Sequence, residues 1–370
     1  MHLVVTHSAY NLSGDITYGP ANHVYDFLVE KNKSSALISH SLFGGWPSLL
    51  ENKKEKVKLG RFYKHNLLFR SIEHVIINFI KAIGLKDKNR LIYIGADPIN
   101  SLSGAFLNIF NKIDKNIYFV VDYADNRFKN SVLNKIYHSL DRFCVNHADE
   151  IWCVSTRIID RKIELGVPAA KLKLLPNSPN TKSFPKFKKD RGLEMVIVSH
   201  LTKSLNLKPI LESVGLLIKK NPKLKLNIIG TGPEEKKFKR MVKNLKIEKN
   251  IIFLGQLSHP KVIEVISKSF LGFAIYTNEN DWNRYGDSMK AREYMAGGTP
   301  VISNDIPSTA DDIKKYKAGK VLKKVSSKAI AKFIMECISN KKYYSVLQRN
   351  AIKVASDFDK QMILKKLLFN

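Results

Sequence analysis

The sequence predicts an α/β protein of two Rossmann-like domains, each built on a parallel sheet. A chain of 370 residues is too long for one small core and long enough for two such domains. Short apolar runs typical of buried strands alternate with helical patterns, as in βαβ units. A polar, basic stretch broken by Pro185 separates the two halves. We therefore predict domains over residues 1–180 and 193–345, with residues 181–192 as the linker.

The composition is that of an ordinary globular protein, with 44% hydrophobic and 10% aromatic residues. The three cysteines, Cys144, Cys153 and Cys337, have no metal-binding spacing, and reduced cytoplasmic thiols explain them most simply. The first residues, MHLVVTHSAYNL, become polar too soon for a signal peptide. No apolar run approaches the length of a membrane span. We expect a cytoplasmic protein that is soluble or bound to a surface.

The formal net charge of +29 is the most unusual property of the composition. Such a field attracts polyanions: nucleic acid, anionic lipid headgroups or phosphorylated small molecules. A lysine-rich surface that only contacts solvent would give the same net charge. The charge thus favours a membrane-associated role or an anionic substrate without selecting a fold.

The first predicted βα unit joins a buried strand, Leu3 to Thr6, to a helix over Ala21 to Glu30. The polar loop between them, His7 to Tyr18, is too long and too poor in glycine for a dinucleotide-binding fingerprint. It is followed by Gly19, which opens the helix with Pro20.

A basic region with interleaved aromatic and leucine residues runs from Lys53 to Arg70. Its cations are Lys53, Lys54, Lys56, Lys58, Arg61, Lys64 and Arg70. Basic residues beside exposed aromatics suit contact with anionic lipid, although solvated lysines are the alternative. The next helix, Ser71 to Ile83, carries an apolar stripe that we predict to be core, formed by Val75, Ile76, Phe79, Ile80 and Ile83.

The strand Asn116 to Val121 delivers Asp122 at its carboxyl end, and Arg127 follows closely. Open α/β sheets place their ligands at the carboxyl ends of parallel strands. An aspartate in such a cleft can orient an acceptor hydroxyl or accept its proton. Capping of the next helix is the alternative role for Asp122.

The stretch Tyr285 to Asp305 predicts an anion site. A Gly-Asp-Ser turn caps a helix over Met289 to Ala296, which the Gly297-Gly298 pair ends before a strand. The start of a helix offers unpaired N–H groups and a positive dipole end, which suit a phosphate. Lys290 and Glu293 share a helix face, so a cation for phosphate lies beside a carboxylate for sugar hydroxyls. An ordinary surface αβ unit is the alternative.

The sequence DSMKAREYMAGGTPVIS resembles the donor-site signature of glycosyltransferase family 4, and ADEIWCVS with ELGVPAAKLKLLPNS resembles the end of that family's first domain. The resemblance implies the GT-B fold, in which the two sheets face a central cleft and the C-terminal helix, here residues 346–370, crosses back to the first domain. It also implies retaining, metal-independent transfer of a hexosyl-type sugar from a nucleoside-diphosphate sugar, with no cofactor.

The resemblance assigns Glu293 to the ribose hydroxyls and places Tyr285 where the family usually has a second glutamate. Asp287 is then a candidate for the missing carboxylate. The remaining donor-site candidates are Gly286, Ser288, Met289, Gly230, Gly232, His200 and Lys203. The resemblance also places Lys290 and Asp122 with Asp287 in the catalytic set, and His7, Gly19 and Arg127 in the cleft that takes the acceptor.

The loop after the first strand of the second domain departs from the family pattern. The usual Gly-Arg-Leu is replaced by Ser199-His200-Leu201, and the position of the usual lysine falls on Leu205. Lys203 and Lys208 flank that position. We therefore expect the segment around Lys290 to hold more of the donor phosphate than is usual.

The expected activity is glycosyl transfer to a glycan or lipid-linked acceptor in cell-surface polysaccharide or glycoconjugate biosynthesis. The expected location is the cytoplasm, including the inner face of the cell membrane, and nucleic acid is not an expected partner. The departures leave two other interpretations open: a non-catalytic, polyanion-binding GT-B protein and a sugar-nucleotide epimerase on the same fold.

Overall fold

The computed structural model describes residues 1–10, 16–17, 19–41, 47–53, 55–59, 67–85, 90–278 and 282–369. The chain divides into two compact units. Unit 1 comprises Met1–Leu175 together with Leu364–Asn370, and unit 2 comprises Pro176–Ile363.

Unit 1 alternates strands and helices along most of its length. Its strands are β1 (His2–Tyr10), β2 (Ile16–Thr17), β3 (Ser35–Ser41), β4 (Ser48–Asn52), β5 (Lys56–Leu59), β6 (Ile92–Ala96), β7 (Lys115–Val120), β8 (Glu150–Cys153) and β9 (Leu172–Leu174). Its helices are α1 (Pro20–Glu30), α2 (Leu67–Leu85), α3 (Asp97–Ile109), α4 (Ser131–Asn146) and α5 (Thr156–Glu164), with a 3-10 turn at Ala169–Lys171.

The sheet of unit 1 has the strand order β5-β4-β3-β1-β6-β7-β8-β9, with β2 paired to β1. The strands β3, β1, β6, β7, β8 and β9 are parallel to one another. β4 pairs with β3, and β5 pairs with β4, in antiparallel orientation. The central strands read as nearly continuous apolar runs because helices cover both faces of a parallel sheet. Leu3, Val5, Ile38 and Tyr93 form part of the resulting core.

The first strand is longer than predicted, and the basic region contains one unexpected strand. β1 continues through His7 because its parallel pairing with β3 extends to Ser8 opposite Ser41. The predicted loop therefore does not begin at His7. The strand in the basic region is β5, which pairs in antiparallel orientation with β4 just before that region and is exposed except at Leu59. The predicted membrane contacts of Lys54, Arg61 and Lys64 lie outside the described residues.

The prediction that the apolar stripe of the helix after Ser71 is core was wrong for three of its residues. In α2 the side chains of Ile76, Ile80 and Ile83 are 51%, 60% and 47% exposed. The buried positions of this helix are instead His74, Asn78 and Ala82. His74 and Asn78 can point inwards because each finds a hydrogen-bond partner among the histidines of the sheet.

Unit 2 is a regular parallel α/β unit with the strand order β12-β11-β10-β13-β14-β15. Its strands are β10 (Glu194–Val198), β11 (Lys225–Ile229), β12 (Ile251–Gly255), β13 (Gly272–Ala274), β14 (Val301–Asn304) and β15 (Gly319–Leu322). Its helices are α6 (Lys208–Leu217), α7 (Glu235–Asn244), α8 (His259–Lys268), α9 (Trp282–Tyr285), α10 (Met289–Ala296), α11 (Thr309–Tyr316), α12 (Ser327–Ser339) and α13 (Lys341–Asp357), with 3-10 turns at Thr181–Ser183 and Glu248–Asn250.

The chain ends in a helix that begins in unit 2 and finishes in unit 1, α14 (Lys360–Phe369). The resemblance implies a single C-terminal helix over residues 346–370, but the structure breaks it at Phe358. Asp359 then accepts a hydrogen bond from the Met362 amide and starts the new helix. Within unit 1, Leu364 is buried and the ring of Phe369 stacks on Phe27 at 5.8 Å between centroids.

None of the helices in the described part of the chain combines the length and the apolar character needed to cross a bilayer.

Candidate functional site

The start of α10 has the geometry that the sequence predicts. The Ser288 hydroxyl accepts a hydrogen bond from the Ala291 amide at 3.3 Å, which confirms it as the N-cap. The first amides of the helix, those of Met289 and Lys290, have no intrahelical acceptor and lie at the positive end of the helix dipole. The predicted stop is also confirmed, because Gly297 is the C-cap and Gly298 adopts a φ of +67°.

Two contacts fix α10 against the sheet of unit 2. The Tyr294 hydroxyl accepts a hydrogen bond from the Val198 amide at the end of β10, at 2.8 Å. A Cβ atom on Gly272 would lie 2.6 Å from the Tyr294 ring, so only glycine leaves room for it. Directly after the last residue of α10, the Arg191 guanidinium donates to the Gly297 carbonyl at 2.6 Å. The C-terminal half of the helix is therefore held on the sheet and at its C-cap.

Lys290 is the partly buried cation at this helix start. No ion pair joins it to another residue among those that the structure describes. Its neighbour Met289 is also partly buried, and the Ser288 hydroxyl lies 2.9 Å from the Tyr276 hydroxyl. A lysine without a carboxylate partner beside two unpaired amides can neutralise an anion.

The structure argues against the predicted catalytic role of Asp287. Its side chain is fully buried and pairs with Arg292, whose Nη2 lies 2.9 Å from Oδ1. The other oxygen, Oδ2, accepts a hydrogen bond from the Asn177 amide at 2.7 Å. Arg292 also pairs with Asp312 at 2.7 Å. Because both of its oxygens are engaged, Asp287 has the geometry of a structural residue.

Tyr285 and Gly286 support the turn before α10. Tyr285 is only 6% exposed, so its ring belongs to the packed interior. The Gly286 carbonyl accepts hydrogen bonds from the amide and the hydroxyl of Ser308, at 3.1 and 3.0 Å. A Cβ atom on Gly286 would lie 2.9 Å from the Trp282 carbonyl oxygen. The position of the family's first glutamate is thus taken by a buried ring.

Glu293 has a partner that sequence reasoning missed. The His259 Nε2 atom lies 2.9 Å from Oε1 of Glu293, and the two side chains are 63% and 5% exposed. His259 is the first residue of α8, so it lies at the start of a second helix. The two residues are 34 positions apart, so no local pattern of the sequence joins them. An exposed imidazole therefore holds a nearly buried carboxylate.

Gly230 and Gly232 bring two loops of unit 2 into direct backbone contact. Gly230 has a φ of +120°, and a Cβ atom there would lie 2.0 Å from the Ser199 carbonyl oxygen. A Cβ atom on Gly232 would lie 2.5 Å from the Leu201 carbonyl oxygen. The Leu201 amide donates to the Thr231 carbonyl at 2.9 Å. Both glycines are thus required by the packing of the loops after β10 and β11.

The remaining candidates of that loop have different environments. His200 and Lys203 are exposed, so either can reach a ligand. Leu205 is 6% exposed and belongs to the core of unit 2. Its backbone bridges Tyr276 in antiparallel pairing. The leucine at the usual lysine position therefore has a packing role.

In unit 1, His7 lies in a network at the carboxyl ends of β1 and β6. Its Nδ1 atom donates to Oδ2 of Asp97 at 2.7 Å. Its Nε2 atom then accepts from Nδ1 of His74 at 3.2 Å. Asp97 has a φ of +67°, which is unfavourable for a residue with a side chain, and its Oδ1 accepts from the Ile99 and Asn100 amides at 3.0 and 3.2 Å. The sequence did not reveal this pairing, because Asp97 and His7 are 90 positions apart.

Two further histidines extend this network into the interior. His40 accepts from the Ser48 hydroxyl and donates to the Asn78 amide oxygen, at 2.8 and 2.7 Å. Its ring stacks on His74 with 4.0 Å between centroids. Burial, and then the charge of His7, lowers the pKa of His40 to about 3. Burial, followed by the charges of His40, His7 and Arg70, lowers the pKa of His74 to about 2.

Asp122 lies at the carboxyl end of β7, as predicted, and pairs with Arg127. The guanidinium contacts both carboxylate oxygens, at 2.7 and 3.2 Å, and lies over the Tyr137 ring at 5.0 Å. Asn130, not Asp122, caps the following helix α4. Gly19 is the N-cap of α1, and its amide donates to Oδ1 of Asn22 at 2.9 Å.

The structure therefore groups the predicted residues at two sheet edges. In unit 2, Lys290 and Glu293 lie on one helix, and Gly230, Gly232 and His200 lie on neighbouring loops. In unit 1, His7 lies in the carboxyl-terminal half of β1 and Asp122 follows the end of β7, and these two strands flank β6 in the sheet. The additional residues that the structure reveals are His259, Asp97, Asn100, His40 and His74.

Comparison with known proteins agrees with this geometry in unit 2. Residues 179–354 match the family model described as "Glycosyl transferases group 1". A Salmonella typhimurium protein named as a colanic acid biosynthesis glycosyltransferase, WcaL, is 25% identical over 47% of this chain and 44% of its own length. The poly(glycerol-phosphate) alpha-glucosyltransferase of Bacillus subtilis is 22% identical over 47% of this chain and 25% of its own length. Each match therefore spans less than half of the relative.

The fold of the whole chain also has solved counterparts. Anabaena Alr3699/HepE, solved in complex with UDP, superposes with a TM-score of 0.71. The likeness covers 99% of this chain and 98% of that chain, at 13% sequence identity. This comparison confirms the predicted α/β fold with two Rossmann-like units, the GT-B fold.

Proposed function

We propose that this protein is a retaining glycosyltransferase, because residues 179–354 match the family model of group 1 glycosyl transferases. It moves a sugar from a nucleoside-diphosphate sugar to a glycan or lipid-linked acceptor. The observation that supports this most is the start of α10, where the cap at Ser288 is followed by two helix amides without an intrahelical acceptor and by Lys290, on the same helix as Glu293.

The donor diphosphate binds at the start of α10. As the bond to the sugar breaks, negative charge grows on the leaving phosphate. Fixed amides and a lysine that has no carboxylate partner among the described residues stabilise that charge without reorganisation. The exposed His200 and Lys203 supply further contacts from the loop after β10. The buried ion pair of Asp287 with Arg292 holds the preceding turn in place.

The nucleoside binds at Glu293. A carboxylate accepts two hydrogen bonds from the vicinal hydroxyls of a ribose. Glu293 is nearly buried and would need a fixed orientation to do so, which the hydrogen bond from His259 provides. His259 is then a positioning residue for ribose recognition.

Unit 1 binds the acceptor. Asp122 and His7 are the groups at its sheet edge that can orient an acceptor hydroxyl or accept its proton. Their present partners, Arg127 and Asp97, keep each side chain in a defined orientation. In this proposal the helix amides and lysine of unit 2 stabilise the negative charge of the diphosphate, so the proposed mechanism needs no metal.

Two related proteins suggest the substrates. One carries colanic acid biosynthesis in its name, and the other is an alpha-glucosyltransferase acting on poly(glycerol-phosphate). We infer a role in cell-surface polysaccharide or glycoconjugate biosynthesis. Alr3699/HepE was solved with UDP, which makes a uridine donor the first to test. The basic segment Lys53 to Arg70 suits a location on the inner, anionic face of the cell membrane.

A donor screen tests the proposal. Thermal shift with UDP and GDP should raise the melting temperature for one nucleotide, because ligand that binds only the folded state stabilises it. A transfer assay with the corresponding sugar nucleotides should then give product only when acceptor is present. Product without acceptor would identify an epimerase. Absence of nucleotide binding, together with a salt-steep affinity for nucleic acid, would identify a polyanion-binding protein.

A further inference from the structure

The helix α2 carries its apolar face outwards and polar side chains inwards. Its buried side includes His74 and Asn78, which bond to the histidines of unit 1. Its outer side carries large apolar side chains that are each at least 47% exposed: Leu68, Phe69, Ile72, Ile76, Ile80 and Ile83. Apart from Leu68, these recur at three- and four-residue intervals and form one continuous stripe. A contiguous apolar patch of this kind marks an interaction surface.

A groove runs beside this stripe, between α2 and β5. It has a volume of about 810 Å³ and is lined mainly by apolar side chains, including Leu59, Ile76 and Ile77. Val57 of β5 is itself 40% exposed at its border. The outer face of α2 is therefore part of a broader apolar surface that continues onto the strand.

Positive charge borders the apolar surface. Lys58 and Lys81 line the groove together with one carboxylate, Glu73. The exposed Lys56 lies on β5 and pairs with Glu51, and the exposed Lys53 directly follows β4. Over residues 51–70 the sequence has seven lysines and arginines against the two glutamates at positions 51 and 55. An apolar stripe with basic residues along its side is the pattern of a helix that lies in the interface of an anionic membrane.

We propose that the outer face of α2, with the groove beside it, docks on an anionic lipid bilayer. The helix lies in the plane of the interface, its apolar stripe contacts the acyl chains, and the lysines contact lipid phosphates. The groove takes a lipid hydrocarbon chain. This adds the part of α2 that follows Arg70 to the membrane contact proposed for Lys53–Arg70, and it does not depend on glycosyl transfer.

The charge of the surface disfavours a second copy of the chain as its occupant. A symmetric dimer through this face would bring two equivalent basic borders together. The whole chain also carries a formal net charge of +29, so self-association works against its own field. An anionic lipid surface is complementary in both respects.

Vesicle flotation with the full chain tests the proposal. The probes are vesicles of phosphatidylcholine alone and vesicles with about one-third phosphatidylglycerol. The variant Ile76→Ser/Ile80→Ser removes two exposed apolar side chains and should lower binding to anionic vesicles on the order of 10- to 100-fold. Lys58→Glu/Lys81→Glu should abolish the preference for phosphatidylglycerol. Leu216→Ser, at an apolar side chain of α6 in unit 2 that is 53% exposed, is the matched control and should bind normally.

Nucleotide binding by the same samples separates this proposal from the proposed function. Thermal shift with UDP should be unchanged in every variant, which also shows that each is folded. Wild-type protein that does not float with anionic vesicles would overturn the proposal, as would a serine variant that floats like the wild type. A dimer in sedimentation analysis that disappears in Ile76→Ser/Ile80→Ser, without vesicle binding, would assign the face to self-association instead. Vesicle binding without UDP binding would support the docking surface and count against the glycosyltransferase.

Discussion

At the carboxyl edge of the unit 1 sheet, ionisable side chains bond to one another, whereas at the corresponding edge of unit 2 backbone groups define the site. Unit 1 links His7 to Asp97 on one side and to His74 on the other. Unit 2 uses the first amides of α10 and the glycine-mediated contact of two loops. Its one fully buried carboxylate in this region of the described chain, Asp287, is neutralised by Arg292.

The difference indicates what each edge can recognise. Amides and a lysine hold an anion of fixed shape over a wide pH range, because amides do not titrate. A histidine network can accept and donate protons, and it is sensitive to pH. The comparison therefore predicts that acid will affect the two units unequally and that charge substitutions will affect them in different ways.

The largest expected effect is acid destabilisation of unit 1. His40 and His74 have pKa values lowered to about 3 and about 2, so below pH 6.5 the unfolded chain binds protons that the folded unit does not. Above pH 6.5 both states are neutral and nothing is lost. At pH 5 the two groups together lower the free energy of unfolding by about 4 kcal/mol. The loss of stability is measured by urea unfolding of a Trp282→Phe variant, followed by tryptophan fluorescence. The remaining tryptophans of this variant lie in unit 1 and report on that unit.

Two comparisons make this prediction specific. Burial also lowers the pKa of His2, to about 4, so three histidines of unit 1 contribute to the pH dependence, and the variant His74→Gln should lose about one-third of it. A urea concentration at the unfolding midpoint that stays constant from about pH 7.5 to pH 5 would show that the histidines are not held neutral in the folded state.

Removal of the buried carboxylate should destabilise unit 2. Asp287→Ala leaves Arg292 buried with only Asp312 as a partner, and breaking a buried pair costs about 3 kcal/mol. Urea unfolding followed by Trp282 fluorescence measures this. Asp305→Ala, which breaks an exposed pair with Lys314, is the control and should cost less than about 1 kcal/mol. Normal stability with loss of transfer would instead restore Asp287 to the catalytic set.

Lys290→Ala should lower turnover on the order of 10²-fold, which corresponds to about 2.7 kcal/mol of transition-state stabilisation. The loss should appear in kcat, since the lysine acts on charge that develops as the donor bond breaks. Lys261→Ala, at an exposed lysine of α8, is the control. Unchanged turnover would remove Lys290 from the mechanism.

The smallest predicted effect concerns His259. His259→Ala should weaken UDP binding about tenfold, because Glu293 loses the hydrogen bond that orients it. With 2′-deoxyuridine diphosphate the difference in affinity between variant and wild type should become smaller, since only one of the two hydroxyls that Glu293 binds remains. Calorimetric titration of both nucleotides measures this. An equal loss of affinity for both nucleotides would indicate that His259 acts on the phosphates and not on the ribose.

Features that depend on neighbouring residues were predictable from the sequence. The cap at Ser288, the extent of α10 and the stop at Gly297 follow from local backbone chemistry. Contacts between distant residues were not. His7 and Asp97 are 90 positions apart, and Glu293 and His259 are 34 apart. Asp287 looked like a free carboxylate because its partners are a side chain of the following helix, Arg292, and the backbone amide of Asn177, which is 110 positions away.

The helix α2 shows a different limit of sequence reasoning. Apolar periodicity correctly predicted an amphipathic helix, and its spacing fixed which residues share a face. It could not tell whether that face meets the protein's own core or an external partner. The answer depended on His40 and Ser48, which create a polar interior that accepts His74 and Asn78.

The path of α14 has a consequence for biosynthesis. Unit 1 consists of Met1–Leu175 and of Leu364–Asn370, so a ribosome translates all of unit 2 before it supplies the last segment of unit 1. Until then the ring of Phe27 lacks its stacking partner Phe369. Unit 2 is continuous in sequence and can complete its core first. Vectorial synthesis thus reverses the usual order, in which the N-terminal domain is finished earlier than the domain that follows it.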